Sequence, residues 1–284
     1  MKALVTFFFV LACASLCAQE NLKFDKKFVQ SEDKWVVFPA DSIGQYNFGF
    51  IYIDSQAGLT LDYAGSFKID KDGKYIASKT PETSLMKYRL QPNNTLVAFI
   101  PEAKFSELQV NKIPDWLKIY KRDEQSIEWL YRRGYMYNGW NECAKALEYL
   151  DKAAKINSEF KGLRVELAFS YNCLGQYQKA IEVLQKAIKS NPSDAYINKE
   201  LIFAQAKGGH LDNAAKNCRK VVKELSDKTY NAENAYNVLQ GYFLKKDVEN
   251  FNKWLIETSS YLSNNEQFKG LVEKMQAEIR INGR

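Results

Sequence analysis

Side chains able to do chemistry are few in this chain, and their spacing does not assemble a catalytic or metal-binding constellation. The one histidine, His210, follows Gly208-Gly209 and precedes Leu211. A catalytic zinc asks for three protein ligands and a structural one for four, and nothing near His210 supplies them. It reads as a turn residue facing water. A Gly-rich phosphate loop, a nucleophile elbow and a Cys-x-x-Cys pair are all missing from the sequence. Asp70-Lys71-Asp72-Gly73 begins like a calcium loop but lacks the later ligands and the terminal glutamate, so it reads as a turn. Asn93-Asn94-Thr95 is formally a glycosylation sequon. The inventory predicts no enzyme activity and no cofactor.

The formal charge is +6, from 40 basic and 34 acidic residues, and no basic run exceeds a pair such as Lys26-Lys27, Arg132-Arg133 or Lys245-Lys246. Pairs of this kind are solvated faces, not a phosphate-binding stripe, and nucleic acid is not expected as a partner. Met1-Lys2, an apolar run from Ala3 to Leu11 and small residues up to Ala18 read as a secretory signal over residues 1–18, cleaved after Ala18. The alternative is lipid attachment at Cys13. Either way the chain is expected to be exported, periplasmic or secreted, with possible envelope association. No later segment is apolar for long enough to span a bilayer, so an integral membrane protein is not expected. Beyond the signal, Cys143, Cys173 and Cys218 remain, an odd and sparse set that is no disulfide framework. Cys218 reads as a small buried hydrophobe.

Residues 19–120 are punctuated by glycine, proline and aspartate between short β-branched and aromatic runs, the texture of a β-rich module. Strands are predicted at Trp35 to Phe38, Phe48 to Ile53, Leu59 to Tyr63, Ser66 to Ile69, Lys74 to Ala77, Lys87 to Leu90 and Thr95 to Ile100. Asp72-Gly73 marks a hairpin turn. The module is long enough for its own core, as a small sandwich or barrel. Ile113-Pro114-Asp115-Trp116-Leu117 leads toward the next segment, with Trp116 large enough to dock the two modules.

From residue 127 onward the same side-chain sizes recur every 34 residues. Ala146, Ala180 and Ala214 align, as do Ala153, Ala187 and Val221, and Leu150, Leu184 and Cys218. Small residues let helices approach and large ones fill the space between them. The units are 127–160, 161–194 and 195–228, with a degenerate unit at 232–262 whose small positions are lost to Phe251 and Thr258. Residues 263–284 read as a closing helix, opened by a Ser263–Glu266 capping box and continued by Phe268, Leu271, Val272, Met275 and Ile279.

This pattern resembles the tetratricopeptide repeat family, best in the middle unit, which carries Leu167, Ala168, Tyr171, Gly175, Tyr177, Ala180, Leu184, Ala187 and Pro192. The expected fold class is therefore α+β: a small N-terminal β-rich domain (19–120), then an all-α superhelical solenoid (121–262) with a capping helix. The order of signal, β-rich module and repeats resembles exported repeat proteins of Bacteroidetes-type bacteria. Stacked hairpins would bring the start of the second helix of one unit, Cys143, beside the end of the next unit's first helix, Cys173, which leaves a bridge between them open. The resemblance also implies a groove lined by the first helix of each unit, which receives a protein or peptide. Tyr135, Phe169 and Phe203 stand one repeat apart at a groove-facing position, with Tyr131, Asn138, Asn172, Tyr196, Lys199 and Tyr236 around them. These aromatics either meet a partner or pack on one another. Glu166 and Glu200, with Tyr131, Tyr135 and Tyr196, occupy the places where chaperone-tail clamps carry carboxylate-binding residues, which argues against an acidic tail as ligand. The implied function is a cell-envelope scaffold that binds a protein partner; the alternative is a glycan- or cell-wall-binding protein acting through exposed aromatics such as Trp35, Phe48 or Tyr52.

Overall fold

The computed structural model describes residues 22–79 and 86–282. The expected signal, its cleavage point at Ala18 and Cys13 lie outside the described residues. The chain divides into two compact units, Met1–Tyr120 and Lys121–Arg284.

The first unit is built on β1 (Lys26–Lys27), β2 (Lys34–Val37), β3 (Tyr46–Asp54), β4 (Gly58–Ile69), β5 (Tyr75–Lys79), β6 (Met86–Arg89) and β7 (Leu96–Phe99). Among the described residues they form one antiparallel sheet in the order β1-β7-β2-β3-β4-β5, with β6 also on β4. A sandwich or barrel is therefore not what forms. Two predicted strands, Leu59 to Tyr63 and Ser66 to Ile69, are a single one. The intervening Ala64-Gly65 offers little to pack, but the strand survives it through a bulge: Phe48 pairs with Gly65 and Gly49 with Tyr63, leaving Ala64 unopposed. Gly65 takes a φ of 135°, which other residues rarely adopt.

Alternation along β3 puts Phe48, Phe50 and Tyr52 on one face, where they join Trp35, Phe67 and Tyr75. That face is covered by residues 100–120, which end in the one-turn helix α1 (Leu117–Tyr120). Trp116, read as a docking residue, packs edge-on against Phe50 and Tyr52 at centroid distances of 5.8 and 5.0 Å. Lys87 lays its ammonium over Tyr52, Trp116 and Tyr120 and donates to the Tyr120 hydroxyl at 3.0 Å, which ties the short exposed β6 to this cluster. Trp35, Phe48 and Tyr52, named above as exposed ligand-binding aromatics, are buried. They are the sheet's core because alternate residues of a strand share a face and this face is covered. The turn reading at Asp70 holds: its Oδ1 accepts from the N–H groups of Asp72 and Lys74.

The second unit is helical: α2 (Ile127–Gly139), α3 (Cys143–Ile156), α4 (Leu163–Cys173), α5 (Tyr177–Ser190), α6 (Ala195–Lys207), α7 (Leu211–Glu224), α8 (Asn231–Leu244), α9 (Val248–Leu262) and α10 (Glu266–Asn282). Consecutive helices pair as hairpins, and α2, α4, α6 and α8 also pack each on the next. Ala146, Ala180 and Ala214 are completely buried where the helices cross. Gly134 comes so close to Leu150 that even a methyl group there would collide with it. The degenerate fourth unit keeps its register with larger fillers: Phe251 and Thr258 stay buried, and Trp254 Nε1 donates to the Ala235 carbonyl at 2.9 Å. The predicted capping box is displaced. Ser263 ends α9, and Asn265 Oδ1 caps α10 by accepting from Gln267 N–H, since a side-chain acceptor must stand directly before the first turn.

Cys143 and Cys173 are bridged, with their Cα atoms 6.3 Å apart, so the set read as no disulfide framework holds one bond and leaves Cys218 as a buried thiol. The bond joins the first residue of α3 to the last of α4, and so ties the first hairpin to the second. Closing a loop over a separation of 30 residues restricts the unfolded chain by about 3 to 4 kcal/mol. Cys173→Ser is expected to lower the melting temperature of the helical unit by roughly 10 °C under non-reducing conditions. Scanning calorimetry with and without reductant checks this: reductant should lower the wild type by the same amount and leave the variant unmoved.

Candidate functional site

The predicted groove residues fall on α2, α4, α6 and α8, but the structure treats them unequally. Tyr135 is 55 % exposed, and no ring of the described residues stacks on it. Phe169 is half-buried. Phe203 turns back into the array and meets Tyr177 edge-on at 6.3 Å, beneath the Lys207 ammonium. Tyr131 leans on Phe160 at 5.3 Å, and Tyr196 on Tyr230 at 6.0 Å. Tyr236 is stacked on Phe268 of α10 at 4.7 Å, and its hydroxyl accepts from Gln240. The open aromatic surface is thus concentrated at Tyr135 and Phe169, in the first two hairpins.

Asn138 and Asn172 prove to be internal links. Asn138 Nδ2 donates to the Glu166 backbone oxygen and to Glu166 Oε2, both at 2.9 Å, while its Oδ1 accepts from Ser170 Oγ at 2.7 Å. One repeat later, Asn172 Nδ2 donates to the Glu200 backbone oxygen at 3.3 Å and to Oε2 at 2.8 Å. Each amide spans 28 residues and joins one groove-lining helix to the next. The third junction lacks the pair: Ala206 follows Asn172 by one period, and Asn237 follows Glu200 by one period and the three-residue insertion. Asn237 is buried and its Nδ2 has no partner among the described residues.

Charge along this face is held in place. Lys199 lies over Tyr196 and Tyr230, at 4.6 and 5.5 Å from their centroids, and its ammonium reaches Glu200 at 2.6 Å and Glu233 at 3.8 Å. Lys207 donates to Gln240 Oε1. Burial pushes the Glu166 carboxyl above its ordinary range; the Asn138 bond opposes this and the Glu200 charge adds to it. Burial, then the Glu200 and Glu166 charges, raises the Tyr196 hydroxyl. Burial, then the Glu166 charge, does the same to Tyr131. Sequence reasoning took Asn138 and Asn172 as groove-facing and did not see their link to Glu166 and Glu200. The recurrence of Asn and Glu at this 28-residue spacing was the available signal. His210 precedes α7, and no cluster of three or more potential metal ligands occurs among the described residues. No described helix is long and apolar enough to cross a membrane.

Comparison with known proteins agrees with the repeat reading. The Tetratricopeptide repeat family model matches residues 163–194, the hairpin of α4 and α5. Among solved structures the chain is similar to MamA 41-end from Desulfovibrio magneticus RS-1, at 18 % identity, covering 53 % of this chain and 84 % of that chain with a TM-score of 0.45. No curated protein matches significantly. The described structure is α+β: an N-terminal antiparallel sheet followed by a repeat arrangement of helices, of which the α4–α5 hairpin matches the tetratricopeptide repeat.

Two outcomes are expected of the amide links. Asn138→Ala takes the donor from Glu166 Oε2, while Ser170 Oγ keeps the Glu166 backbone oxygen at 3.1 Å, and should cost about 1–3 kcal/mol in urea unfolding. Because the folded state raises the Glu166 carboxyl, it binds that proton more tightly than the unfolded chain, so its contribution to stability is lost as pH rises through the raised value. Glu166→Gln should therefore melt with the wild type at acid pH and above it at neutral pH, as read from paired thermal scans.

Proposed function

We propose that the protein is a non-catalytic scaffold of the bacterial cell envelope that holds a protein or peptide partner along the face formed by α2, α4, α6 and α8. The observation that carries this is Tyr135, a large ring left exposed one repeat before half-buried Phe169, while Tyr131, Tyr196, Phe203 and Tyr236 of the same face each rest on another ring. An aromatic kept in water at a repeat position facing the neighbouring helices is the kind of anchor that protein interfaces use. Tetratricopeptide hairpins, the type matched by α4 and α5, are a fold that presents such a face.

Export is part of the proposal. The Cys143–Cys173 bond supports it, because disulfides persist in oxidising compartments and are rare where thiols are kept reduced. The signal reading over residues 1–18 points the same way. The mature chain recovered from the producing cell should begin at Gln19, which N-terminal sequencing reads directly; a chain starting at Cys13 with added lipid mass would replace that cleavage point. The alternative, glycan binding by the sheet unit, loses its named aromatics to the core.

A photo-crosslinking residue at Tyr135 of the full chain should capture one defined envelope protein, and Phe169→Ala should abolish capture. Tyr135→Ala itself should leave the melting temperature within about 2 °C, since an exposed side chain away from special features contributes little to stability. Loss of melting temperature in Phe169→Ala with capture intact would make Phe169 a packing residue and end this assignment. Retention of polysaccharide by the chain on a glycan array would favour the sheet unit instead.

A further inference from the structure

The repeat register allows one acid site to be compared with its own copy one unit later. Glu166 and Glu200 occupy equivalent places on α4 and α6, and each is held by the asparagine of the preceding unit through the same pair of hydrogen bonds. At Glu200 the site is filled from within the chain. The Lys199 ammonium sits at 2.6 Å from its carboxylate, over the Tyr196 and Tyr230 rings.

At Glu166 no cationic side chain of the described residues fills it. The residue equivalent to Lys199, one period earlier, is Val165, packed into the apolar cluster of α4 and α5. No lysine or arginine pairs with Glu166 among the described residues, and its protein donor is Asn138, which takes one carboxylate oxygen. The register differs, since Gly162 stands where the filled copy has Tyr196, but aromatic hydroxyls still surround the site: Glu166 stands on the helix between α2, whose Tyr131 hydroxyl lies against Gly162, and α6, which brings Tyr196, and both hydroxyls feel its charge. Glu166 is half-buried and the exposed Tyr135 lies next to Tyr131 along the same helix, so the carboxylate can be reached from outside.

From this we infer that the partner is a basic, extended peptide, one of whose lysine or arginine side chains seats at Glu166 between aromatic rings, as Lys199 does at Glu200. The inference rests on the groove reading above and adds the chemistry of the ligand. Charge complementarity favours it over an acidic peptide. An anion on this face would meet Glu166, Glu200 and Glu233, while Lys199 is already committed to two carboxylates and Lys207 to Gln240. Aromatic faces also prefer a cation to an anion.

The test uses the full chain and three dye-labelled glycine-serine peptides of equal length, carrying lysines, glutamates or neither, read by fluorescence anisotropy. The lysine peptide should bind best, Glu166→Gln should weaken it about tenfold, and Glu200→Gln should weaken it far less. Val165→Lys places an ammonium where Lys199 stands one unit later, and should abolish binding of the lysine peptide at temperatures below its own thermal transition. Melting curves on each variant separate loss of binding from loss of fold. Absence of lysine-peptide binding, or equal binding by wild type and Glu166→Gln, overturns the inference. If the uncharged or acidic peptide then binds and Tyr135→Ala weakens it, the groove reading survives without its basic ligand; if none binds and Tyr135 captures no protein, both fall.

Discussion

How closely two helix backbones can approach sets nearly everything else in the helical unit. Ala146, Ala180 and Ala214 leave no side-chain bulk at the crossing, and Gly134 lies under Leu150 with no room for a methyl group. A crossing this tight fixes the rotation of each helix about its axis, not only its separation. Because the constraint recurs every 34 residues, every hairpin presents the same side to its neighbour. That repeated rotation is why Asn138 finds Glu166 and Asn172 finds Glu200 with the same geometry. The polar links are consequences of the apolar packing.

They also bring a cost that the array does not carry everywhere. A buried amide is favourable only while its partners are present, and stranding it is more expensive than the bond is worth. At the third junction Ala206 removes the donor and Asn237 replaces the acid, and the amide nitrogen of Asn237 has no partner among the described residues. Asn231 and Asn234 on the same helix also hold unpartnered buried atoms. The compensation is apolar: Phe251, Trp254 and Leu262, joined by Phe268, Val272 and Met275 of α10, make one continuous cluster with α7 and α8. The array changes from polar stitching to bulk burial toward its C-terminal end.

Much of this could be read from the residues. The recurrence of small side chains carries the helical hairpins, since a period is visible in one dimension, and the alternation Phe48, Phe50, Tyr52 carries β3 for the same reason. What escaped depends on pairings between distant residues. The bulge at Ala64 exists because β3 continues opposite it, and a single sheet differs from a sandwich only in which strands meet. Trp35, Phe48 and Tyr52 looked available because residues 100–120, which cover them, carry no strong signal of their own. The aromatic positions of the groove were legible, but their fates were not: Tyr135 stays open, Phe203 is taken by Tyr177 and Tyr236 by Phe268, each according to what the neighbouring helix brings. Asn138 and Asn172 were named for exposure and turned out to be links, because an amide's role depends on its acceptor.

The Cys143–Cys173 bond makes the two ends of the array mechanically different. In a stack where each hairpin touches only its neighbours, opening can spread from either end, one interface at a time. The covalent tie lets the first two hairpins loosen but not separate, whereas the third and fourth, with α10, are joined to the rest by packing and hydrogen bonds, with no cross-link among the described residues. Under tension, or in the presence of a protease, fraying is biased to run inward from the C-terminal end and to halt at the tie. The exposed Tyr135 and the unfilled Glu166 both lie on the pair of hairpins that outlasts it.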